Sequence, residues 1–403
     1  MVTLPEEFIQ STRQLMGEDR FARYLSAFDE EPPVSIRLNP RKCGKEKANC
    51  GEPVPWCEHG YYLGRRPNFT FDPLLHAGCY YVQEAASMFI HHILSQRHSA
   101  VFLPPSSLNV LDLCAAPGGK STCAISALPP GSRLWANEPV RQRASILLEN
   151  ITKWGYPDCT VTNCYPRDYR ASKCSFDLIL CDVPCSGEGM FRRDPQTIGE
   201  WSPQAVERCS ALQRDIVSDA WQCLRPGGLL IYSTCTFNIK ENEENVRWIL
   251  EHFAADILPV PTQPEWNITG SLLPGFDVPV YRFIPGITRS EGLFVAVLRK
   301  KGEWSMEKGE RRKDAALKVI STHPTPSIAH PVDLTYSQAI AYLRGEALML
   351  PAETPRGIVD VSFMGHTLGQ VKNIGSRANN LYPKEWRIKS THIPQEYTPI
   401  IGE

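Results

Sequence analysis

Two cysteines stand directly after predicted strands of this chain. Cys185 lies in the segment Asp182-Val-Pro-Cys-Ser-Gly, which follows the apolar run Phe176–Cys181, and Cys235 follows the apolar run Gly228–Tyr232. A lone cysteine in a chain with fourteen is usually a small buried apolar residue. Two thiols at the ends of neighbouring strands are harder to explain as packing, because a thiol in a cleft is reactive once it ionises. We expect both thiols to face one cleft.

A glycine-containing loop precedes a predicted helix. The segment Cys114-Ala-Ala-Pro-Gly-Gly-Lys-Ser121 follows the apolar run Asn109–Leu113. Its glycines let the backbone approach a ligand closely, and the N–H groups that begin the helix suit a carboxylate or a phosphate. The loop is not a P-loop, because Cys114 occupies the position of the required first glycine, and the pattern G-x-G-x-x-G is absent. The alternative interpretation is a tight strand–helix turn.

An acidic residue ends the next predicted strand. Glu138 follows Arg133–Asn137 and lies twenty residues beyond Gly118. A carboxylate at this place can accept hydrogen bonds from the ribose hydroxyls of a nucleoside. Its alternative role is a favourable charge at a helix N-terminus, which contributes only about 0.3–1 kcal/mol. Together with the loop, Glu138 favours a nucleoside cofactor.

These segments share one predicted scaffold of apolar strands that alternate with helices. One helix is predicted after Pro139, one begins at Ser202-Pro203, and one follows the capping pair Asn238 and Glu241. Such an alternation predicts a doubly wound domain, that is, a parallel sheet with helices packed on both of its faces. In such a domain, ligands bind outside the carboxyl ends of the strands. The predicted strands are Asn109–Leu113, Arg133–Asn137, Thr160–Asn163, Phe176–Cys181, Gly228–Tyr232 and Phe294–Leu298.

The sequence predicts an α/β protein with three units and a linker. Residues 1–75 form a small N-terminal α+β domain with a helix from Pro5 to Met16, and residues 76–300 form the Rossmann-like, doubly wound catalytic domain. Residues 301–324 form a basic linker. Residues 325–403 form a small separate α+β or β-barrel domain, with a helix at Ser337–Leu343 and strands at Ile358–Phe363 and Leu368–Val371.

Composition narrows the class of protein. The 403 residues carry 43 Lys and Arg against 44 Asp and Glu, as in an ordinary globular protein. There is no apolar run long enough to span a bilayer, no signal-peptide pattern at the start and no Cys-x-x-Cys pair. We expect a soluble cytoplasmic monomer without a metal or membrane partner. The net charge of −1 argues against indiscriminate coating of nucleic acid but leaves room for a local basic surface.

Five motifs together resemble the Nol/Nop/Sun family of RNA (cytosine-5) methyltransferases, nearest its bacterial RsmF-like branch. They are Tyr80–Ser87, Leu111–Lys120, Asp182–Arg192, Tyr232–Cys235 and Asn379–Trp386. The resemblance implies S-adenosyl-L-methionine as methyl donor and a cytosine in RNA as acceptor. The residues that it implies for the cofactor are Cys114, Ala115, Ala116, Pro117, Gly118, Gly119, Lys120, Glu138, Asn163 and Asp182.

The same resemblance implies the roles of the two thiols. Cys235 adds to carbon 6 of the cytosine, and Cys185 assists removal of the carbon 5 proton and release of the covalent adduct. Asp182 binds the N3 and amino edge of the base. Lys120 joins the expected catalytic residues on a separate ground: its loop lies near Cys235, where a positive charge favours a thiolate. Asn163 stands where the family often has an acidic residue near the adenine, so that contact departs from the family pattern.

Basic residues are expected to hold the RNA. Arg192 and Arg193 follow the Pro-Cys loop, and the segment Arg356–Lys389 carries six basic and two acidic residues, a local charge of +4. The resemblance implies that the C-terminal region is a PUA-like RNA-binding domain. Tyr382 and Trp386 are alternatively core residues of that domain. The expected RNA contacts are Arg192, Arg193, Lys372, Arg377, Lys384 and Arg387.

Two other functions stay open. The first is the same reaction on transfer RNA, because no residue of the chain distinguishes transfer RNA from small-subunit ribosomal RNA as the substrate. A catalytically idle RNA-binding factor of ribosome assembly is disfavoured, because binding alone needs neither thiol.

Overall fold

The N-terminal unit consists of a helical pair and a small antiparallel sheet. Gly17 adopts φ 75° between α1 and α2, which ends the predicted first helix at Met16. The sheet has the order β3-β4-β1-β5, and β5 lies beyond the predicted domain boundary at residue 75. The elements are α1 (Glu6–Met16), α2 (Glu18–Ser26), β1 (Val34–Leu38), β2 (Lys47–Ala48), β3 (Glu52–Pro53), β4 (Gly60–Leu63), α3 (Pro73–His76) and β5 (Tyr80–Val82).

The central unit is built on one eight-stranded sheet, in the order β11-β13-β10-β9-β6-β7-β8 with β12 paired to β13. Its elements are α4 (Phe89–Ser95), β6 (Asn109–Asp112), α5 (Gly119–Ala127), β7 (Arg133–Asn137), α6 (Arg141–Trp154), β8 (Cys159–Thr162), α7 (Pro166–Ala171), β9 (Phe176–Asp182), α8 (Pro203–Cys223), β10 (Leu224–Thr234), α9 (Glu243–His252), β11 (Ala255–Ile257), β12 (Val280–Phe283) and β13 (Leu293–Lys300).

Both faces of the central sheet are covered, as the apolar strands predict. Val110 and Leu178 belong to the core beneath α4, α5 and α6, whereas their neighbours Leu111 and Ile179 belong to the core beneath α7, α8 and α9. Strands β6 to β10 pair in parallel. The strand order reverses between β6 and β9, and this reversal is where doubly wound sheets bind ligands.

Two details of the predicted central unit are wrong. The sheet is mixed, because β13 runs antiparallel to β10, β11 and β12. The pair Asn238 and Glu241 does not cap α9, which begins at Glu243 after Asn242. The Asn238 side chain instead accepts a hydrogen bond from the Glu241 backbone N–H at 2.9 Å, one turn ahead of the helix. The predicted cap Ser202 of α8 is confirmed, since its hydroxyl accepts from the Ala205 N–H.

In its described residues the C-terminal unit contains a four-stranded sheet and the α-helix α10. Its elements are β14 (Val332–Asp333), α10 (Tyr336–Leu343), β15 (Gly357–Phe363), β16 (His366–Asn373), β17 (Ala378–Asn380) and β18 (Ile401–Gly402). It differs from the separate unit that the sequence suggests. One hydrophobic core contains Ile36 and Leu38 of β1 together with Leu343 and Val361, and β18 pairs with β2.

The computed structural model describes residues 3–44, 47–49, 51–96, 106–303, 317–320, 331–390, 392–394 and 396–402. Most of the predicted linker 301–324 therefore lies outside the described residues. Its described parts are residues 301–303 and 317–320, and the second of these runs along the edge strand β8, where Val319 forms a bridge with Thr162. Within the described ranges, no helix is both long and apolar enough to cross a membrane.

Candidate active site at the carboxyl edge of the central sheet

The loops that follow β6, β9 and β10 meet where the strand order reverses. Asp182 ends β9, and its carboxylate accepts hydrogen bonds from Lys120 Nζ at 2.9 Å and from the Ser233 hydroxyl at 2.7 Å. Lys120 lies at the start of α5, and Ser233 belongs to β10. The three segments are therefore tied together by one carboxylate.

The two predicted thiols are neighbours. Cys185 Sγ lies 3.2 Å from Cys235 Sγ, and the Cys235 backbone N–H donates to Cys185 Sγ at 3.4 Å. The hydrogen bond with Cys235, together with burial of the sulfur, raises the pKa of Cys185 well above its ordinary value. Cys185 therefore keeps its proton, and the two sulfurs lie within hydrogen-bonding distance of each other.

Lys120 supplies a fixed positive charge beside the thiols. Burial alone acts to lower the pKa of Lys120, but attraction to Asp182 and the hydrogen bond with it act in the opposite direction, assisted by Cys235. The net effect is a raised pKa, so the ammonium stays charged. A charged lysine at this place stabilises negative charge on either the carboxylate or a thiolate.

The predicted cofactor loop is rigidly held. Gly118 adopts φ 114° directly before α5, and a side chain there would also meet Leu147 at 3.3 Å. From α6, Asn150 donates to the Pro117 backbone oxygen at 2.8 Å and Arg143 to the Ala116 backbone oxygen at 3.2 Å. The positive φ and the contact with Leu147 require glycine at position 118. The loop therefore leads directly into the first turn of α5, whose backbone N–H groups have no partner within the helix.

Asp112, the last residue of β6, is a buried carboxylate with one free oxygen. Its Oδ2 accepts from the Ser121 hydroxyl at 2.6 Å, whereas Oδ1 is buried without a hydrogen-bond partner. Burial raises its pKa to about 7, against the hydrogen bond from Ser121, which lowers it. Sequence reasoning missed Asp112, although its place in the Leu111–Lys120 motif was visible. A buried free acceptor beside this loop suits a cationic donor from a ligand.

Glu138 and Asn163 lie at the strand ends where they are predicted. The side chains of both residues form polar contacts within the protein. Glu138 Oε1 accepts from the Val140 N–H at 2.9 Å, and Oε2 lies 3.4 Å from Arg143 Nη2. The Asn163 amide donates to the backbone oxygens of Glu138 and Pro139, at 2.8 and 2.9 Å. Asn163 therefore fixes the backbone that presents Glu138, and its side-chain donors are not free for an adenine ring.

Two of the expected RNA contacts, Arg192 and Arg387, pack against the protein instead of extending into solvent. Arg192 is buried against Glu291, with Nη1 and Oε1 2.7 Å apart and 6% of the side chain exposed, so it does not face an incoming strand. Arg387 packs over Gly345 and donates to the Tyr382 backbone oxygen at 3.4 Å. Tyr382 lies in the core, as its alternative interpretation predicts. The expected contacts that are exposed are Arg193, Lys372, Arg377 and Lys384.

Sequence reasoning also missed two buried carboxylates between the cysteine loops, Glu188 and Glu241. Glu188 stands in the Cys185 loop, and the feature of the sequence that could have identified it is a charged residue between two glycines. Glu241 was interpreted only as a helix cap.

A sheet with this strand order, a glycine-containing loop after β6 and an acid after β7 define a Rossmann-like methyltransferase. Three family models match the chain: "16S rRNA methyltransferase RsmB/F" over residues 99–299, "N-terminal domain of 16S rRNA methyltransferase RsmF" over residues 4–85 and "Methyltransferase RsmF PUA domain" over residues 329–388. The chain belongs to the RsmB/F methyltransferase family, within the Nol/Nop/Sun group that its motifs resemble.

Similar proteins agree with this assignment. The ribosomal RNA small subunit methyltransferase F of Pectobacterium atrosepticum is 33% identical over 321 residues, which cover 74% of this chain but only 63% of that protein, less than two thirds of its length. The protein of the same name from Escherichia coli O139:H28 is 29% identical, with 95% and 96% covered.

Solved structures show the same fold. A methyltransferase homolog protein from Pyrococcus horikoshii is 25% identical with a TM-score of 0.61, covering 74% of this chain and 96% of that one. NSun6 from the same organism, solved with SFG, is 20% identical with a TM-score of 0.61, covering 74% and 99%.

Proposed function

We propose that this protein transfers a methyl group from S-adenosyl-L-methionine to carbon 5 of a cytosine in RNA, with ribosomal RNA of the small subunit as substrate. The observation that carries the proposal is the pair of thiols 3.2 Å apart beside the Lys120–Asp182 ion pair. A methyltransferase that acts on oxygen or nitrogen needs no thiol pair at this edge. The names of the similar proteins support ribosomal RNA as substrate.

The residues present fit the donor. The N–H groups at the start of α5 suit its carboxylate, the free Oδ1 of Asp112 suits its ammonium group, and Glu138 suits its ribose hydroxyls. Arg143 must give way for the last of these contacts, and it can, because 53% of its side chain is exposed. When bound, S-adenosyl-L-methionine supplies an electrophilic methyl group on a sulfonium.

Residues of the protein activate the cytosine that accepts the methyl group. Carbon 5 of cytosine is a poor nucleophile, so the Cys235 thiolate first adds to carbon 6, and the electrons of the ring double bond then make carbon 5 nucleophilic. Asp182 accepts a hydrogen bond from the amino edge of the base and holds the ring in place. Lys120 balances the charge of Asp182, so that the site does not repel the electron-rich ring.

Release requires loss of the proton on carbon 5. The electron pair of that C–H bond restores the ring double bond, the bond between carbon 6 and sulfur breaks, and Cys235 leaves as a thiolate. As Cys235 leaves, its sulfur takes the proton of the Cys185 thiol 3.2 Å away, and the Cys185 sulfur, which is strongly basic once deprotonated, takes the carbon 5 proton in exchange. We assign Cys235 as the nucleophile and Cys185 as the residue that assists release.

This reaction belongs in the cytoplasm, where ribosomal RNA is available and free thiols stay reduced. The experiment uses small-subunit ribosomal RNA transcripts that contain 5-fluorocytidine. Fluorine cannot leave as a proton does, so the adduct cannot be released. We expect a covalent protein–RNA complex on a denaturing gel, mapped by mass spectrometry to Cys235, with transfer RNA transcripts as the competing substrate. Methylation of unmodified RNA without any adduct on the fluorinated transcript would overturn the proposal.

A further inference from the structure

Two carboxylates lie buried beside the thiols although the proposed chemistry gives them no task. Glu188 is 2% exposed and Glu241 is fully buried. Within the described part of the chain, neither forms an ion pair with a lysine, arginine or histidine. A buried carboxylate without a countercharge costs free energy, which hydrogen bonds offset only when they are numerous and well placed. Their partners therefore show what the two carboxylates do.

Glu188 reaches from the Cys185 loop to the Cys235 loop. Its Oε2 accepts from the backbone N–H groups of Phe237, at 2.6 Å, and Asn238, at 2.9 Å. These residues stand two and three positions after Cys235. Its Oε1 accepts from the Trp201 indole at 3.0 Å, which fixes the carboxylate from the far side.

Glu241 reaches in the opposite direction. It follows Cys235 by six positions, and its Oε2 accepts from the backbone N–H of Ser186 at 3.0 Å, directly after Cys185. The Gln213 amide donates to the same oxygen at 2.7 Å. Burial raises the pKa of Glu241, and the hydrogen bonds from Ser186 and Asn238 act against that rise.

Asn238 joins the two carboxylates. Its side-chain amide donates to Glu188 Oε1 at 3.0 Å and to Glu241 Oε1 at 2.8 Å. The Gly189 N–H also donates to the Cys235 backbone oxygen at 2.8 Å. The two cysteine loops thus hold each other through crossed contacts, with one carboxylate from each.

We infer that Glu188 and Glu241 are reciprocal positioning residues for the two thiols, each setting the thiol on the opposite loop. The inference rests on the proposed function. Glu188 fixes the backbone that presents Cys235 and so controls formation of the adduct. Glu241 fixes the backbone that presents Cys185 and so controls its release. Loss of one carboxylate should therefore affect one step more than the other.

Substitution by glutamine tests each carboxylate without changing its size. Every hydrogen-bond partner of the two carboxylates is a donor. A glutamine oxygen can therefore accept on one side only, and on the other side its amide group would face another donor, so that part of the contacts is lost. For Glu241→Gln we expect adduct formation close to the wild-type rate, release roughly 10- to 100-fold slower and a higher maximum level of adduct during the turnover. For Glu188→Gln we expect formation slowed by about the same factor and a lower adduct level.

Asp177→Asn is the matched control. Asp177 is also a buried carboxylate that accepts from a backbone N–H, that of Asn109 at 2.7 Å. It differs in pairing with Arg225 at 2.7 Å and in standing at the opposite end of β9. Its loss should lower the melting temperature and leave the ratio of the two steps unchanged. Where a glutamine variant does not fold, Asn238→Ala replaces it, because this change removes the bridge and leaves both carboxylates. It should slow both steps without the loss of melting temperature expected for Asp177→Asn, whereas slowing together with that loss would indicate a purely structural role.

The measurement is single-turnover methylation of a small-subunit ribosomal RNA transcript, with adduct and methylated product quantified from quenched samples. Opposite changes in adduct level for the two glutamine variants, with donor affinity unchanged, support the inference. Equal slowing of both steps in both variants, with a loss of melting temperature like that of Asp177→Asn, overturns it and leaves a purely structural role. If the wild-type protein forms no adduct with fluorinated RNA, the proposed function itself fails.

Discussion

Arg282 and Glu243 form a buried ion pair beneath the loop that carries Cys235. Arg282 Nε lies 2.7 Å from Glu243 Oε1, and the two side chains are 1% and 0% exposed. The same guanidinium donates to the Phe237 backbone oxygen at 2.6 Å. The pair therefore joins β12 to the start of α9 and supports the loop between β10 and α9.

Removal of either partner should destabilise the folded protein, because it leaves the other charge buried without a counterion. We expect Arg282→Met to lower the free energy of unfolding by about 3–5 kcal/mol, as in other buried pairs that lose one charge. The double variant Arg282→Met with Glu243→Leu should recover a large part of this loss. Urea unfolding of the two single variants and the double variant measures the coupling. Additive effects of the two substitutions would contradict this description of the pair.

The thiols allow a second prediction, which separates their roles. Cys235→Ala should lose at least about 10³-fold in methylation rate, because the covalent route is closed. Cys185→Ala should accumulate an RNA–protein adduct that survives a denaturing gel, because addition to carbon 6 remains but release is slow. Methylation rates and gel analysis on unmodified RNA check both. Near-normal methylation by Cys235→Ala, or loss of turnover without adduct in Cys185→Ala, would reverse the assignment.

The strands of the central sheet could be predicted because their apolar runs are short and end in loops. That β9 and β10 are neighbours is confirmed, and this adjacency brings Cys185 and Cys235 together. The direction of β13 could not be predicted, because an apolar run is the same for parallel and antiparallel pairing. The partners of charged side chains could not be predicted either. Arg192 is buried because Glu291, 99 positions away, reaches it.

Asp112 provides a pH-dependent prediction. In the folded protein burial raises its pKa to about 7 from an ordinary value of 3.8, so the folded chain holds a proton that the unfolded chain has lost between these values. Its contribution to the free energy of unfolding is therefore present at low pH and falls as the pH rises through 7. At about 1.4 kcal/mol per pKa unit, the change is roughly 4 kcal/mol over the window.

Asp112→Asn does not titrate, so its free energy of unfolding relative to wild type should rise from pH 4.5 to pH 7 and level off above roughly pH 8. Urea unfolding at several pH values measures this difference. Ser121→Ala is the companion variant, because loss of its hydrogen bond should raise the pKa of Asp112 further and extend the window upward. Parallel curves for wild type and Asp112→Asn would contradict the assignment.

The exposed basic residues of the C-terminal unit should set the salt dependence of RNA binding. Deletion of this unit is a poor test, because its core is shared with β1 of the N-terminal unit and deletion would expose that core. Alanine at Lys372, Arg377 and Lys384 together should weaken RNA binding and reduce the slope of log Kd against log salt by about 2, near 0.7 for each phosphate contact on single-stranded RNA. Arg387→Ala is the control: its guanidinium is packed inside the unit, so the slope should not change. An unchanged slope in the triple variant would exclude this surface from the RNA contact.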